Sequence, residues 1–212
     1  MDQLETQPAD TRIHIDDPFA VAKFAQSVHR RLRQLNANAK SSIVLLCIGT
    51  DRSTGDCLGP LVGSQMEECG QDLFTVYGTL NDPVHATNLE KKLDEIYRNH
   101  PDSIIIALDA SLGYTENVGS ITIGEGALKP GAGVRKKLPA VGDMHITGIV
   151  NIGGFMEHLV LQNTRLNVVM RLAKVISEGL QHIAAEYRKL QVAEENYHSL
   201  HYQSPNTESI RK

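Results

Sequence analysis

Ile43-Val44-Leu45-Leu46-Cys47-Ile48-Gly49, followed by the polar residues 50–55 and then Asp56-Cys57-Leu58-Gly59-Pro60, decides how this chain folds. An unbroken apolar run closed by glycine matches a strand buried on both faces, as in the middle of a parallel sheet. A polar loop and a helical pattern from Pro60 to about Cys69 complete a strand-loop-helix unit. The unit recurs downstream. Phe74-Thr75-Val76-Tyr77-Gly78 reads as a short strand. Residues 85–100 read as an amphipathic helix with Leu89, Leu93, Ile96 and Tyr97 on one face. Ser103-Ile104-Ile105-Ile106-Ala107-Leu108-Asp109 reads as a third strand, apolar until its last residue. Strands alternating with helices at this spacing predict an α/β fold: three layers, with a mostly parallel central sheet flanked by helices.

Outward from this unit the pattern continues. Phe19, Val21, Phe24, Val28, Leu32 and Leu35 recur at helical spacing between Pro18 and Asn36, with Asp17 placed as an N-cap. Residues 118–123 form a predicted strand, the Gly/Pro-rich residues 124–133 a loop, Met144 to Val150 another strand, and Asn163 to Leu190 a long amphipathic helix. The chain divides into a flexible arm (1–17), a single α/β domain (18–191) and a polar tail (192–212).

Composition narrows the function classes. With 21 basic and 25 acidic residues the net charge is −4, against broad nucleic-acid binding, which needs a clustered basic face. Three cysteines without a repeated spacing do not make a disulfide framework or a thiolate zinc site, and they fit a reducing compartment. The polar start lacks a signal-peptide core, and no apolar run reaches the ~20 residues that span a membrane. The expectation is a cytoplasmic protein with no membrane and no nucleic-acid partner.

Two carboxylates stand where chemistry is expected. Asp56 follows the first strand at the start of a helix, and Asp109 closes the third. Ligands of open α/β sheets bind outside the carboxyl ends of the strands, so both should reach one edge as an acid/base pair or as metal ligands. Asp is also a common helix cap, and that plain role competes with the catalytic one. His145, in an apolar strand, is the best placed of the histidines, although a lone strand histidine is more often a core residue. Cys57 is better read as a small core residue than as a nucleophile. Glu157-His158 is a weaker candidate. Lys129 and Arg135-Lys136-Lys137, among Gly126, Gly131 and Gly133, form either a solvated face or a substrate loop, and residues 124–138 are expected to be mobile without ligand. The loop after the first strand is neither a Walker loop nor a GxGxxG turn, and Asp51 and Asp56 would repel phosphate.

The motifs carry a resemblance. Ile48-Gly49-Thr50 with Thr54-Gly55-Asp56-Cys57-Leu58-Gly59-Pro60, the strand Ile105-Ile106-Ala107-Leu108-Asp109-Ala110, and Lys129-Pro130-Gly131-Ala132-Gly133-Val134 resemble, in the same order, three motifs of the spore germination proteases. In length the chain looks most like the sporulation YyaC family. More distantly it resembles the hydrogenase maturation proteases. The resemblance implies a phosphorylase/hydrolase-like fold and an aspartic-type endopeptidase-like hydrolase. Asp56 and Asp109 would be its catalytic pair, Lys129, Gly131 and Gly133 its substrate loop, and a protein or peptide, such as a spore protein, its substrate. No cofactor is implied by that branch. The hydrogenase branch implies instead a divalent metal such as nickel on Asp56, Asp109 and His145. Thr50, Gly55 and Lys129 depart from the germination-protease pattern, and much of that enzyme's length is missing.

Overall fold

The computed structural model describes residues 10–35, 37, 42–131 and 138–201. Its strands are β1 (Thr11–His14), β2 (Ile43–Cys47), β3 (Phe74–Tyr77), β4 (Ile104–Gly113), β5 (Ser120–Glu125) and β6 (Met144–Ile152). Its helices are α1 (Ala20–Gln34), α2 (Leu58–Glu68), α3 (Leu89–Asn99), α4 (Glu157–Gln162) and α5 (Leu166–His201). One six-stranded sheet runs in the order β1-β5-β6-β4-β2-β3. The four strands β6, β4, β2 and β3 are parallel, and β5 and β1 add an antiparallel edge. This is the expected three-layer α/β fold.

Strand alternation builds the two faces. Ile43, Leu45 and Cys47 of β2 and Ile106, Leu108 and Ala110 of β4 share one core with α1, α2 and α5. Val44 and Leu46 of β2, with Ile105 and Ala107 of β4, share the other with Leu89, Leu93 and Ile96 of α3. Both faces of β2 are therefore dry, which is why its sequence is apolar without alternation. Glycine lets α2 approach closely. A Cβ on Gly59 would overlap the Ile48 carbonyl, and one on Gly63 would overlap that of Gly78.

Several elements differ from the sequence reading. The expected arm contains β1, paired antiparallel with β5, and Ile13 and Ile15 are buried while Arg12 and His14 are not. Thr11-Arg-Ile-His-Ile alternates for too few residues to stand out from a polar N-terminus. β5 runs through Gly124 and Glu125, which composition assigned to the loop. Gly124 pairs with His145, and a Cβ there would lie 2.5 Å from the imidazole, so this glycine gives clearance within a sheet. Helix α5 continues to His201, beyond the expected end near Leu190, while 202–212 lie outside the described residues. No helix among the described residues is long and apolar enough to cross a membrane.

Candidate active site at the β2–β4 crevice

Chain order fixes where the crevice opens. From β2 the chain crosses through α2 to β3 on one side, then through α3 to β4 on the other. The direction of winding thus reverses between β2 and β4, and such switch points leave a crevice beyond the strand ends. The pairing of β2 with β4 stops at Cys47 and Leu108, while β4 runs on to Gly113. Asp109 is therefore not a strand end, as the sequence suggested. It is the first β4 residue beyond the end of its neighbour, on the face of Ile105 and Ala107.

Asp56 reaches the same crevice from the other strand. Leaving β2, the chain bends at Gly49 and returns through a single 3-10 turn at Gly55–Cys57 into α2. The Thr50 N–H donates to the Asp56 carbonyl oxygen at 3.0 Å, which closes the loop. Asp56 and Asp109 both line a cavity of about 470 Å³, together with Thr50, Arg52, Ser53, His85, Gly131, His158 and Gln162. Ile48, Leu138 and Leu161 supply apolar wall. That size suits a ligand or a short stretch of chain, since such sites span about 300–1,000 Å³.

The two carboxyls have unlike surroundings. Asp109 is 5 % exposed. Its Oδ1 accepts the Ala110 N–H at 2.8 Å and its Oδ2 the Gly131 N–H at 3.3 Å. Burial, with the nearby Asp56 charge second, pushes its pKa up to about 8 against the pull of those two N–H groups. Burial also raises Asp56, but His85, His158 and the Thr50 N–H draw it back down. Asp109 is thus set to keep its proton at neutral pH, with Asp56 the more acidic partner.

The other sequence candidates separate. Gly131 belongs to the cavity through its N–H, whereas Lys129 is exposed and does not line it. Gly133 and Arg135-Lys136-Lys137 lie outside the described residues, as does the middle of the expected mobile loop. His145 is not brought to the cavity. It pairs with Ala107, two residues before Asp109 along β4, and its Nδ1 donates to the Gly126 carbonyl at 3.1 Å. The metal set of Asp56, Asp109 and His145 is therefore not assembled, and among the described residues no three His, Cys, Asp or Glu side chains gather to hold a metal. His158, the weaker candidate, does line the cavity, from α4. Helical spacing places His85 as the first residue of a helix, whereas α3 starts at Leu89 and leaves His85 in the cavity wall. The signal in the sequence is the turn Pro83-Val84-His85 ahead of Asn88, which the helical periodicity hid.

Cys57 takes the plain role. It is buried in the core, its Sγ donates to the Thr54 carbonyl at 2.9 Å, and burial pushes the thiol up. Cys47 is fully buried and Cys69 exposed. Thiolate formation and access control alkylation. Iodoacetamide on the native protein should label Cys69 alone, read by mass spectrometry. Comparable labelling of Cys57 would show that its thiol is open to the cavity.

A family model described as "Protein of unknown function (DUF1256)" matches residues 12–179. The chain belongs to this family. The DUF1256 match starts in β1 and ends within α5, so it includes every strand and the whole crevice. The chain is also similar to "Uncharacterized protein YyaC" of Bacillus subtilis (strain 168), at 58% identity over 146 residues, 69% of this chain and 71% of that protein.

Proposed function

We propose that this DUF1256 member is a hydrolase of peptide bonds that uses Asp56 and Asp109 as a carboxyl pair. The observation that carries the reading is Asp109: a buried carboxyl, raised to about 8 beside a second carboxyl in one cavity. Groups with pKa values pushed apart in a cleft are suited to act as acid and base.

The chemistry divides between them. The Asp56 carboxylate takes a proton from water as the oxygen attacks the substrate carbonyl carbon. Protonated Asp109 gives its proton to the carbonyl oxygen, leaving a gem-diol. Asp56 then passes its proton to the amide nitrogen, the C–N bond breaks, and one gem-diol hydroxyl returns its proton to Asp109. The products are an acid and an amine, and both carboxyls end as they began. The Gly131 N–H holds Asp109 Oδ2 during this cycle, and the loop carrying Gly131, Gly133 and Lys129 would guide the polypeptide. No metal enters these steps. The sporulation setting, a spore-protein substrate and a cytoplasmic location are part of this proposal, supported by the resemblance to the germination proteases.

The test is incubation with a mixed peptide library at pH 5–8, read by mass spectrometry. Cleavage that persists in excess chelator and is lost in Asp56→Asn is the expected result. Chelator-sensitive cleavage, or peptide capture without cleavage in wild type and Asp56→Asn alike, would sink the hydrolase reading.

A further inference from the structure

His85 is fixed on more sides than a surface turn requires. Val84 pairs with Ile48 beyond the end of β2, and its carbonyl accepts the Gly49 N–H at 2.8 Å. The His85 N–H donates to Asn88 Oδ1 at 2.8 Å, and Asn88 Nδ2 reaches back to the Pro83 carbonyl at 3.0 Å. The His85 carbonyl accepts the N–H groups of Asn88 and Leu89 at 3.0 Å each. On the ring, Nδ1 lies 2.9 Å from Thr87 Oγ1. Backbone and one ring nitrogen are thereby anchored in the wall of the cavity that Asp56 also lines.

We propose that His85 is a positioning residue for the carboxyl pair, its Nε2 edge orienting the Asp56 carboxylate toward the attacking water. This deepens the paired-carboxyl reading and rests on it. The groups that bear on Asp56 from the surrounding elements are His85, His158 from α4, Asp109 from β4 and Arg52 in its own loop. Of the attractions acting on Asp56, that of His85 is the largest. His158 is the poorer candidate, being exposed on a short helix with Nε2 accepting from Gln162 at 3.2 Å. An imidazole held from two sides has little freedom left to lose when it orients a neighbouring group, and a misplaced reacting group costs about 10²-fold in rate.

Amide side chains separate the two ring positions. His85→Gln puts an N–H where Nε2 stands, whereas His85→Asn reaches only the Nδ1 position. Steady-state peptide hydrolysis should show kcat lowered about 10²-fold in His85→Ala and His85→Asn with KM within about threefold, and most of it restored in His85→Gln. Equal impairment of the Gln and Asn variants, or a loss confined to KM, would overturn the proposal. A readout without turnover separates this from failure of the hydrolase reading: the Asp56 carboxyl followed by ¹³C NMR titration. Its midpoint should rise in His85→Ala and move less in His158→Ala. An Asp56 midpoint unmoved by His85→Ala would overturn the role of His85 even if no peptide is cleaved, while a shifted midpoint without cleavage by wild type would condemn only the hydrolase.

Discussion

Replacing Asp109 with asparagine should abolish peptide hydrolysis while making the protein more stable at alkaline pH. Losing a general acid costs about 10²–10⁴-fold in rate, so activity should fall to near background. The stability effect has the opposite sign because the site strains the native state. In the unfolded chain the carboxyl titrates near about 3.9. In the native protein it titrates at about 8. Between those values the native state keeps a proton that the unfolded state has released, so wild-type stability is full below the lower value and falls as pH rises to the upper one. The loss is on the order of a few kcal/mol by pH 9. Asparagine never ionises and escapes it. Its carbonyl can still accept the Ala110 N–H, but its amide faces the Gly131 N–H donor, at a cost of about 1 kcal/mol. The Tm curves of the two proteins should therefore cross in the acidic range: wild type higher below about pH 4, Asp109→Asn higher at pH 9 by about 10 °C. Parallel curves would mean that Asp109 ionises normally.

Gly49→Ala should be the most damaging single methyl in the crevice. Gly49 sits at φ 145°, and a Cβ there would overlap the Asp56 carbonyl oxygen and press on Pro60 Cδ at 3.0 Å. Relief requires opening the loop that carries Asp56, which is pinned by the Thr50 and Gly49 N–H bonds. Strained backbone and overlap together should cost about 3 kcal/mol or more, or about 8 °C in Tm for a chain of this size. Gly70 is the control. Its φ is 66° with nothing within 4 Å of an added Cβ, so alanine there meets only the backbone penalty of about 1–2 kcal/mol. Equal effects at both positions would show that the Gly49 loop yields and does not hold Asp56 rigidly.

The parts legible in the sequence are those with long, uninterrupted signals. β2 and β4 are buried on both faces and announce themselves as apolar runs; Asp56 and Asp109 follow from where those runs meet polar residues. What escaped reading depends on contacts distant in the chain. β1 is short and half exposed, and its reason for being a strand lies on β5, more than a hundred residues away. His145 looked like a site residue because it interrupts an apolar strand. Only the register of β6 against β4 shows that it sits level with Ala107, two residues short of Asp109. Gly124 carried a loop signal by composition, yet the imidazole across the strand pair accounts for it. His85 was hidden in the opposite way: its neighbours extend the helical pattern, and nothing local tells that Val84 stops to pair with Ile48.

Asp56 and Asp109 share one cavity, and the most direct measurement of their pairing is the ¹³C NMR titration of Asp109 in protein with labelled aspartate. Asp109 should titrate with a midpoint near 8 in the wild type. In Asp56→Asn the midpoint should move down, because the neighbouring charge is the second cause of the shift after burial, while remaining above the ordinary range. A midpoint near the ordinary carboxyl value of about 4, or one that Asp56→Asn leaves unmoved, would contradict the paired site.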